Sequence, residues 1–150
     1  MTIKITTEGL DEKGIRHFLN GLDPRIGKVF QSETRRWVLA AHRASLKNLS
    51  GAGLKSSKAP GGAYPVPVRT GHLRRSEGYV LPGLSKHGLS AGAVSGLLVN
   101  TAVYASNVHE GTHRHEGFGA RPFQQDAVDE TRGAALERML VGMRRAVAHA

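Results

Sequence analysis

The sequence predicts an α+β domain in which a small antiparallel sheet packs against two long helices. A long helix in the first half is indicated by apolar residues that recur at three- and four-residue steps from Ile26 to Ala44. A second helix is indicated at about 122–148. Between them, the segments at about 77–81 and 93–100 have the composition of strands, and together they predict an antiparallel hairpin.

The first long helix should begin after Asp23-Pro24, an N-cap residue followed by a proline suited to a first turn, and run to about Leu49. Its apolar stripe comprises Ile26, Val29, Phe30, Trp37, Val38, Ala41 and Ala44. Its cations fall mostly on another face: Lys28, Arg35, Arg36, Arg43 and Lys47. Such a face is usually only the solvated side of a helix.

The C-terminal helix should start near Pro122 and end near Ala148. Acidic residues early in this segment and basic residues late in it suit the helix dipole. Its candidate apolar positions are Phe123, Ala127, Ala134, Leu136, Met139, Leu140, Met143 and Val147.

The remaining elements are predicted to be short. Alternation over residues 2–8 indicates a strand, and a short helix is expected at about 11–19. Thr70 is a candidate cap for a helical turn at 70–76. Periodicity does not decide between a strand and a short helix at 102–110.

A long segment at about 50–68 is rich in glycine, proline and serine and has no periodicity. A loop of this length in a small domain is unusual unless it has a function or lacks order. We interpret it as a flexible arm that contacts a neighbouring subunit. The whole chain, residues 1–150, is otherwise expected to form one domain.

The charge of the chain is +9 and is distributed unevenly. Lysine and arginine outnumber the acids by nine to five in residues 1–50 and by six to one in residues 51–90, where Glu77 is the acid; the two kinds balance at six each in residues 91–150. This distribution suggests an anionic partner, either nucleic acid or an acidic protein face, or else a basic surface that keeps the protein soluble.

Several classes of protein are disfavoured by composition. The chain has no cysteine, so disulfides and thiolate metal sites are excluded. No apolar run is long enough to span a bilayer, and the first residues lack the apolar core of a signal peptide. We therefore expect no membrane partner, and a protein that stays in the cytoplasm until it is built into a larger assembly.

A zinc-peptidase pattern, H-E-x-x-H, occurs at His109-Glu110-Gly111-Thr112-His113. In that class a continuous helix places both histidines on one face, and the glutamate activates a metal-bound water. Gly111 lies inside the pattern and more glycines follow, which disfavours a continuous helix. A zinc-dependent hydrolase built on His109, Glu110 and His113 is therefore a weak alternative. We assign no catalytic, cofactor or metal residue.

Four fragments, in order, resemble one protein family: 65–76 (PVPVRTGHLRRS), 99–105 (VNTAVYA), 108–112 (VHEGT) and 119–123 (GARPF). The series is similar to the tail-completion, minor-tail-protein-Z-like and head–tail joining (neck) proteins of tailed bacteriophages. The resemblance covers roughly residues 24–148. Its motif residues are Arg69, Thr70, Gly71, Leu73, Ser76, Tyr104, Ala105, Glu110, Gly111, Thr112, Ala120, Arg121, Pro122 and Phe123.

These motif residues also have physical interpretations of their own. Leu73 should be buried while Arg74 and Arg75 stay in solvent. Tyr104 should be a buried ring beside the small Ala105, and Gly111 suits a corner with positive φ. Phe123 should anchor the last helix to the sheet.

The resemblance implies a structural protein of the virion that completes the tail, or joins it to the head, as a ring around the DNA channel. The alternative role is a connector-proximal adaptor or stopper in the neck. The implied partners are other copies of the chain, with a hexamer favoured, and the neighbouring neck and tail proteins. Contact with DNA would be nonspecific. The cations that face either DNA or a neighbouring subunit would be Arg35, Arg36, Arg43, Lys55, Lys58, Arg74 and Arg75.

Overall fold

A computed structural model describes residues 2–5, 24–50, 71–86, 88–111 and 120–148. The elements in chain order are β1 (Thr2–Ile5), α1 (Pro24–Asn48), α2 (His72–Arg75), β2 (Glu77–Val80), β3 (Ser85–Lys86), β4 (Leu89–Ser90), β5 (Gly96–Asn100), α3 (Ala105–Glu110) and α4 (Phe123–Ala148). The α+β class predicted from the sequence is confirmed. The helix expected at 11–19 and nearly all of the arm expected at 50–68 lie outside the described residues.

The main sheet has three antiparallel strands in the order β1-β5-β2. In the central strand, Leu98 pairs with Ile3 on one side and with Tyr79 on the other. The predicted pairing of the segments at 77–81 and 93–100 is thus confirmed. The chain between them also forms a small separate hairpin of β3 and β4, which the sequence did not predict.

Every residue of β5 is buried, because both faces of this strand are covered. Leu98 points to the helices and joins the main core, which contains Trp37, Val38, Ala41, Val128, Ala135 and Met139. Leu97 and Val99 point the other way and pack with Val80, against which Leu89 and Ala91 lie. A strand that is buried on both faces reads as a continuous apolar run, and this explains the absence of alternation in the sequence there.

The two long helices are joined by packing and by specific polar contacts. The Trp37 indole N–H donates a hydrogen bond to Thr131 Oγ1 at 3.0 Å. The Glu33 carboxylate, buried on α1, lies 3.4 Å from Arg138 Nε on α4 and 2.6 Å from Arg36. The predicted stripe of α1 is confirmed: Trp37, Val38, Ala41 and Ala44 are buried, and the five predicted cations are exposed. Among the described residues, no helix is long and apolar enough to cross a membrane.

The apolar face predicted for the C-terminal helix is only partly correct. Phe123, Ala127 and Met139 are buried as predicted, but Val128 and Ala135 complete the buried face. The predicted positions Ala134, Leu136, Leu140 and Val147 are exposed. The helix carries apolar residues on two faces, and periodicity alone does not tell which of them meets the core.

The short elements concern two further predictions. Residues 105–110 form a helix, which decides between the strand and the helix left open by the sequence. The N-cap position of α2 is Gly71, which forms no side-chain capping hydrogen bond, and the predicted cap Thr70 lies outside the described residues. The turn closes through backbone bonds from Arg75 N to Gly71 O and from Ser76 N to His72 O.

The close approach of α1 to β5 at Gly96 generates a first prediction. A Cβ at Gly96 would overlap with the Val38 side chain, which is fully buried. We expect Gly96→Ala to lower the free energy of unfolding by about 1–3 kcal/mol, because neither the helix nor the strand can yield without loosening the core. Urea unfolding of the purified variant measures this.

The matched control is Gly133→Ala, at an exposed position within α4 where an added Cβ meets nothing within 4 Å. There alanine should raise the free energy of unfolding by roughly 0.5–1 kcal/mol through helix propensity. Equal effects of the two substitutions would contradict the packing described for β5.

Candidate functional site

Residues from all four family-like fragments meet in one apolar cluster around Phe123, which is fully buried. Leu73 comes from the first fragment, Ala102 and Ala105 from the second, and Val108 from the third. Leu49, at the end of α1, completes the cluster. The motifs that were separate in the sequence therefore form a single structural unit, hereafter the motif cluster.

The sequence predicts that Phe123 anchors α4 to the sheet, and this prediction is wrong. The neighbours of Phe123 belong to the end of α1, to the short helices α2 and α3, and to the segment that joins β5 to α3. Phe123 is the first residue of α4, and none of its neighbours in this cluster lies in a strand. Asn48 fixes this end further, because its side-chain amide donates to the Phe123 carbonyl at 3.0 Å.

Backbone hydrogen bonds connect the fragments around the motif cluster. Thr101 N donates to Ser76 O at 3.1 Å, and Arg121 N donates to Val108 O at 3.0 Å. The buried Asn100 side chain bridges two fragments: its amide donates to Leu73 O, and its carbonyl accepts from Ala102 N. The short helices are thus held by polar contacts as well as by burial.

A buried carboxylate, Glu77, lies beside the motif cluster at the start of β2. It accepts four hydrogen bonds: one from Ser45 Oγ at 2.7 Å, one from Asn100 Nδ2 at 2.7 Å, and two from Gln124 Nε2 at 2.9 and 3.1 Å. Its donors belong to α1, β5 and α4. Glu77 therefore joins both long helices to the sheet at one point.

Burial is the main influence on the Glu77 carboxyl and raises its pKa, while the bonds from Ser45, Gln124 and Asn100 oppose that rise. His42 on α1 also contacts β2, because its ring stacks edge-on against Tyr79 with centroids 4.8 Å apart. Burial lowers the pKa of His42. The environment of Glu77 is that of a structural carboxylate fully engaged by neutral donors, because all of its partners are amides or a hydroxyl.

The outer surface of the motif cluster differs from the sequence prediction at Tyr104. Its ring is 41% exposed and lies 6.0 Å from the His72 ring, so the predicted burial of this ring is wrong, whereas the adjacent Ala105 is fully buried. The preceding Val103 is 98% exposed. Tyr104 stands at the N-cap of α3, so its side chain projects away from the cluster while Ala105 turns inward.

The other motif residues lie close to the cluster. Leu73 is buried and Arg74 and Arg75 are exposed, as predicted. Gly111 has φ 83°, which confirms the predicted corner. Ser76, Ala120, Arg121 and Pro122 are half-buried, and Glu110 is exposed. The predicted residues Lys55, Lys58, Arg69, Thr70 and Thr112 lie outside the described ranges.

The H-E-x-x-H pattern lacks the helix that its zinc chemistry requires. The helix α3 ends at Glu110, and Gly111 leaves the helical conformation with φ 83° and ψ 167°. His109 is directed into the motif cluster, where its ring stacks edge-on against Phe123 at 5.5 Å. Burial lowers the pKa of His109, opposed by the charges of Glu110 and Asp126. Among the residues that the structure describes, no three histidines or acids are grouped to hold a metal.

The charged residues on the exposed face of α1 are all cations. Glu33 is the single acid of this helix and is buried, so the outer face carries six cations and no acid: Arg25, Lys28, Arg35, Arg36, Arg43 and Lys47. At 1.5 Å per residue, the face from Arg25 to Lys47 extends for about 33 Å. Arg36 is partly neutralised by its ion pair with Glu33.

A shallow cleft of about 370 Å³ adjoins this cationic face. It lies between α1 and the turn at 82–84, with Lys28 and Arg35 on its wall beside Gln31 and Ser32. Cations, an amide and a hydroxyl are the groups that contact phosphate oxygens in nucleic-acid backbones. The cleft therefore extends the surface that an anionic polymer would meet.

No protein-family model, curated protein or solved structure matches the chain.

The polar network around Glu77 was missed by sequence reasoning. One signal was present, because Glu77 is the only acid among residues 51–90. The partners gave none: Ser45, Asn100 and Gln124 are polar residues within helices or strands, where most such residues face solvent. They could be assigned to one buried group only after the helices and the sheet had been placed together.

Replacing Glu77 by glutamine should reveal the cost of burying this carboxylate. An amide would turn a donor toward Asn100 or Gln124, so Glu77→Gln should be less stable by about 1–3 kcal/mol. A raised folded-state pKa means that the folded wild type binds the proton more tightly than the unfolded chain, so its stability falls as pH rises through that pKa. The gap between variant and wild type should therefore narrow as the pH rises from about 4, the ordinary pKa of a glutamate, into the neutral range.

Urea unfolding across this pH range measures the gap, with Glu130→Gln as the control at an exposed carboxylate. The control should change stability by less than about 0.5 kcal/mol. A gap for Glu77→Gln that widens with rising pH would mean that the fold stabilises the ionised form.

Truncating Phe123 should remove the centre of the motif cluster. We expect Phe123→Ala to lower the free energy of unfolding by about 3–5 kcal/mol, because it leaves a cavity among residues from four separate elements. Val103→Ala, at a fully solvated apolar residue of the same region, should change it by less than about 0.5 kcal/mol. A Phe123→Ala protein with unchanged melting that fails only in assembly would assign Phe123 to an interface instead.

Proposed function

We propose that this chain is a structural protein of a tailed bacteriophage, which completes the tail or joins it to the head as a ring around the DNA channel. The observation that carries the proposal is the convergence of the four family-like fragments on the motif cluster. Residues that resemble one family and also contact one another behave as a shared structural unit. Unrelated sequence coincidences would have no reason to meet in space.

The cationic face of α1 supports the part of the proposal that concerns DNA. A surface about 33 Å long that carries six cations and no acid suits sequence-independent contact with phosphates. Such contact lets DNA slide past the protein because no base is read. Arg74 and Arg75 on α2 are further exposed cations beside the motif cluster.

The second role within the same class is a connector-proximal adaptor or stopper of the neck. It differs from tail completion in the surface to which the ring docks. Both roles need the chain to bind copies of itself, with a hexamer favoured by the resemblance. Both also place the protein in the virion after assembly in the host cytoplasm.

The proposal is tested by the native mass of the purified protein together with its binding of duplex DNA. We expect closed assemblies whose mass is a multiple of the 16.1 kDa chain, and DNA binding that weakens steeply with salt. Arg43→Glu should reduce DNA affinity and the salt dependence without changing the native mass, because Arg43 lies on the outer face of α1.

The matched control is Arg145→Glu, which makes the same change in net charge at an exposed residue of α4. It should weaken DNA binding much less than Arg43→Glu does. If Arg43→Glu instead dissolves the assembly, the cations of α1 pair with acids of a neighbouring subunit such as Asp129. A protein that is monomeric at every concentration and also fails to bind DNA would overturn the proposal.

A further inference from the structure

The outward face of α4 carries an apolar stripe that the folded domain does not use. Leu136, Leu140 and Val147 are 42%, 52% and 61% exposed, and Met143 lies between them, half-buried. The neighbouring side of the helix packs into the core through residues such as Ala135 and Met139. A contiguous exposed apolar stripe of this kind usually marks an interaction site.

The spacing of this stripe matches a helix-pairing seam. The steps from Leu136 to Leu140, Met143 and Val147 are four, three and four residues, the alternation that keeps side chains along one line of a paired helix. The four residues therefore span two repeats of a seven-residue pattern. The partner that fits such a seam is another helix with an apolar line of the same spacing.

Two exposed charged residues beside the stripe indicate which helix is the partner. Glu137 and Arg144 each follow a stripe residue directly, lie on the same flank of the stripe and are seven residues apart. Within the described part of the chain, neither forms an ion pair or a side-chain hydrogen bond. A partner helix that runs in the opposite direction would satisfy both if it carried a cation opposite Glu137 and an acid opposite Arg144.

We infer that the partner is α4 of a second copy of this chain, paired antiparallel about a two-fold axis near Leu140 and Met143. In this arrangement Leu136 meets Val147 of the second copy, and Leu140 meets Met143 of the second copy. The flank that carries Glu137 and Arg144 then faces the same flank of the second copy. Glu137 therefore lies beside Arg144 of the second copy, and this pair occurs twice. A two-fold contact is self-complementary in this way by symmetry.

The parallel arrangement does not satisfy these charges. Parallel helices bring the flank that carries Glu137 and Arg144 against the other flank of the stripe, where Met139 and Ala146 stand. Both of these residues are uncharged, and Met139 is buried in its own domain. The charge pattern thus favours the antiparallel pair. Because a seam of two repeats is small, the pairing should be weak and should depend on concentration.

Cysteine cross-linking tests the geometry directly, because the chain has no cysteine of its own. A mixture of the Leu136→Cys and Val147→Cys variants should form a mixed disulfide under mild oxidation, in much higher yield than either variant with itself. A mixture of Ala134→Cys and Val147→Cys is the control, since Ala134 is exposed away from the stripe. Preferential cross-linking of Leu136→Cys to itself would overturn the antiparallel arrangement.

A charge exchange tests the pairing of Glu137 with Arg144. Glu137→Arg and Arg144→Glu should each raise the dissociation constant of the pair by about 3- to 30-fold, because each turns two attractive contacts into repulsive ones. The double variant should restore the wild-type constant, measured by sedimentation equilibrium. Failure of the double variant to restore pairing, or a chain that stays monomeric with a reactive thiol in Leu140→Cys, would overturn the inference.

This test is separate from the test of the proposed function. The seam lies on the outer side of α4, whereas the DNA contact is assigned to the outer face of α1. Loss of DNA binding by Arg43→Glu with intact cross-linking between residues 136 and 147 would support both proposals. Absence of the cross-link with intact assembly and DNA binding would overturn the two-fold contact alone.

Discussion

The buried carboxylate of Glu77 is the constraint on which the arrangement of this protein depends. A carboxylate can be buried only where its oxygens find donors, because an uncompensated buried charge is far more costly than the loss of any single contact. Here the donors come from both long helices and from the central strand. The position of one acid therefore fixes the relative placement of four elements.

The Glu77 network lies beside the apolar cluster around Phe123, and the two share elements. Asn100 contributes to both, since its amide bonds to Glu77 and to the Leu73 carbonyl. Gln124 bonds to Glu77 and directly follows Phe123 in the chain. This end of the molecule is consequently the place where the short helices are held, and the fragments that resemble phage neck and tail proteins are those that build it.

The two long helices leave different surfaces exposed although they pack against each other. The outer face of α1 is cationic, while that of α4 carries an apolar stripe with opposite charges on one flank. A cationic face suits a polyanion and resists self-association, because like charges repel. An apolar stripe with self-complementary charges suits a second copy of the same helix. The proposed contact with DNA and the proposed contact with a second copy would therefore use different helices and would not compete.

The sequence by itself determined the α+β class, the two long helices, the antiparallel pairing of the middle strands and the cationic face of α1. These features follow from local periodicity, from start signals such as Asp23-Pro24 and from the composition of the strands, none of which needs a distant partner. The burial of Leu73 and Phe123 was likewise predictable, because large apolar residues beside turn signals have few alternatives.

The tertiary structure alone decided which face of α4 is buried, where Tyr104 points and what surrounds Glu77. The helix α4 has apolar residues on two faces, and only the position of α1 selects Val128 and Ala135 over Leu136 and Leu140. Tyr104 and Ala105 are neighbours in the chain, and the start of α3 between them turns one outward and the other inward. The partners of Glu77 are 23 to 47 residues away in the chain, so its environment exists only once helices and sheet are assembled.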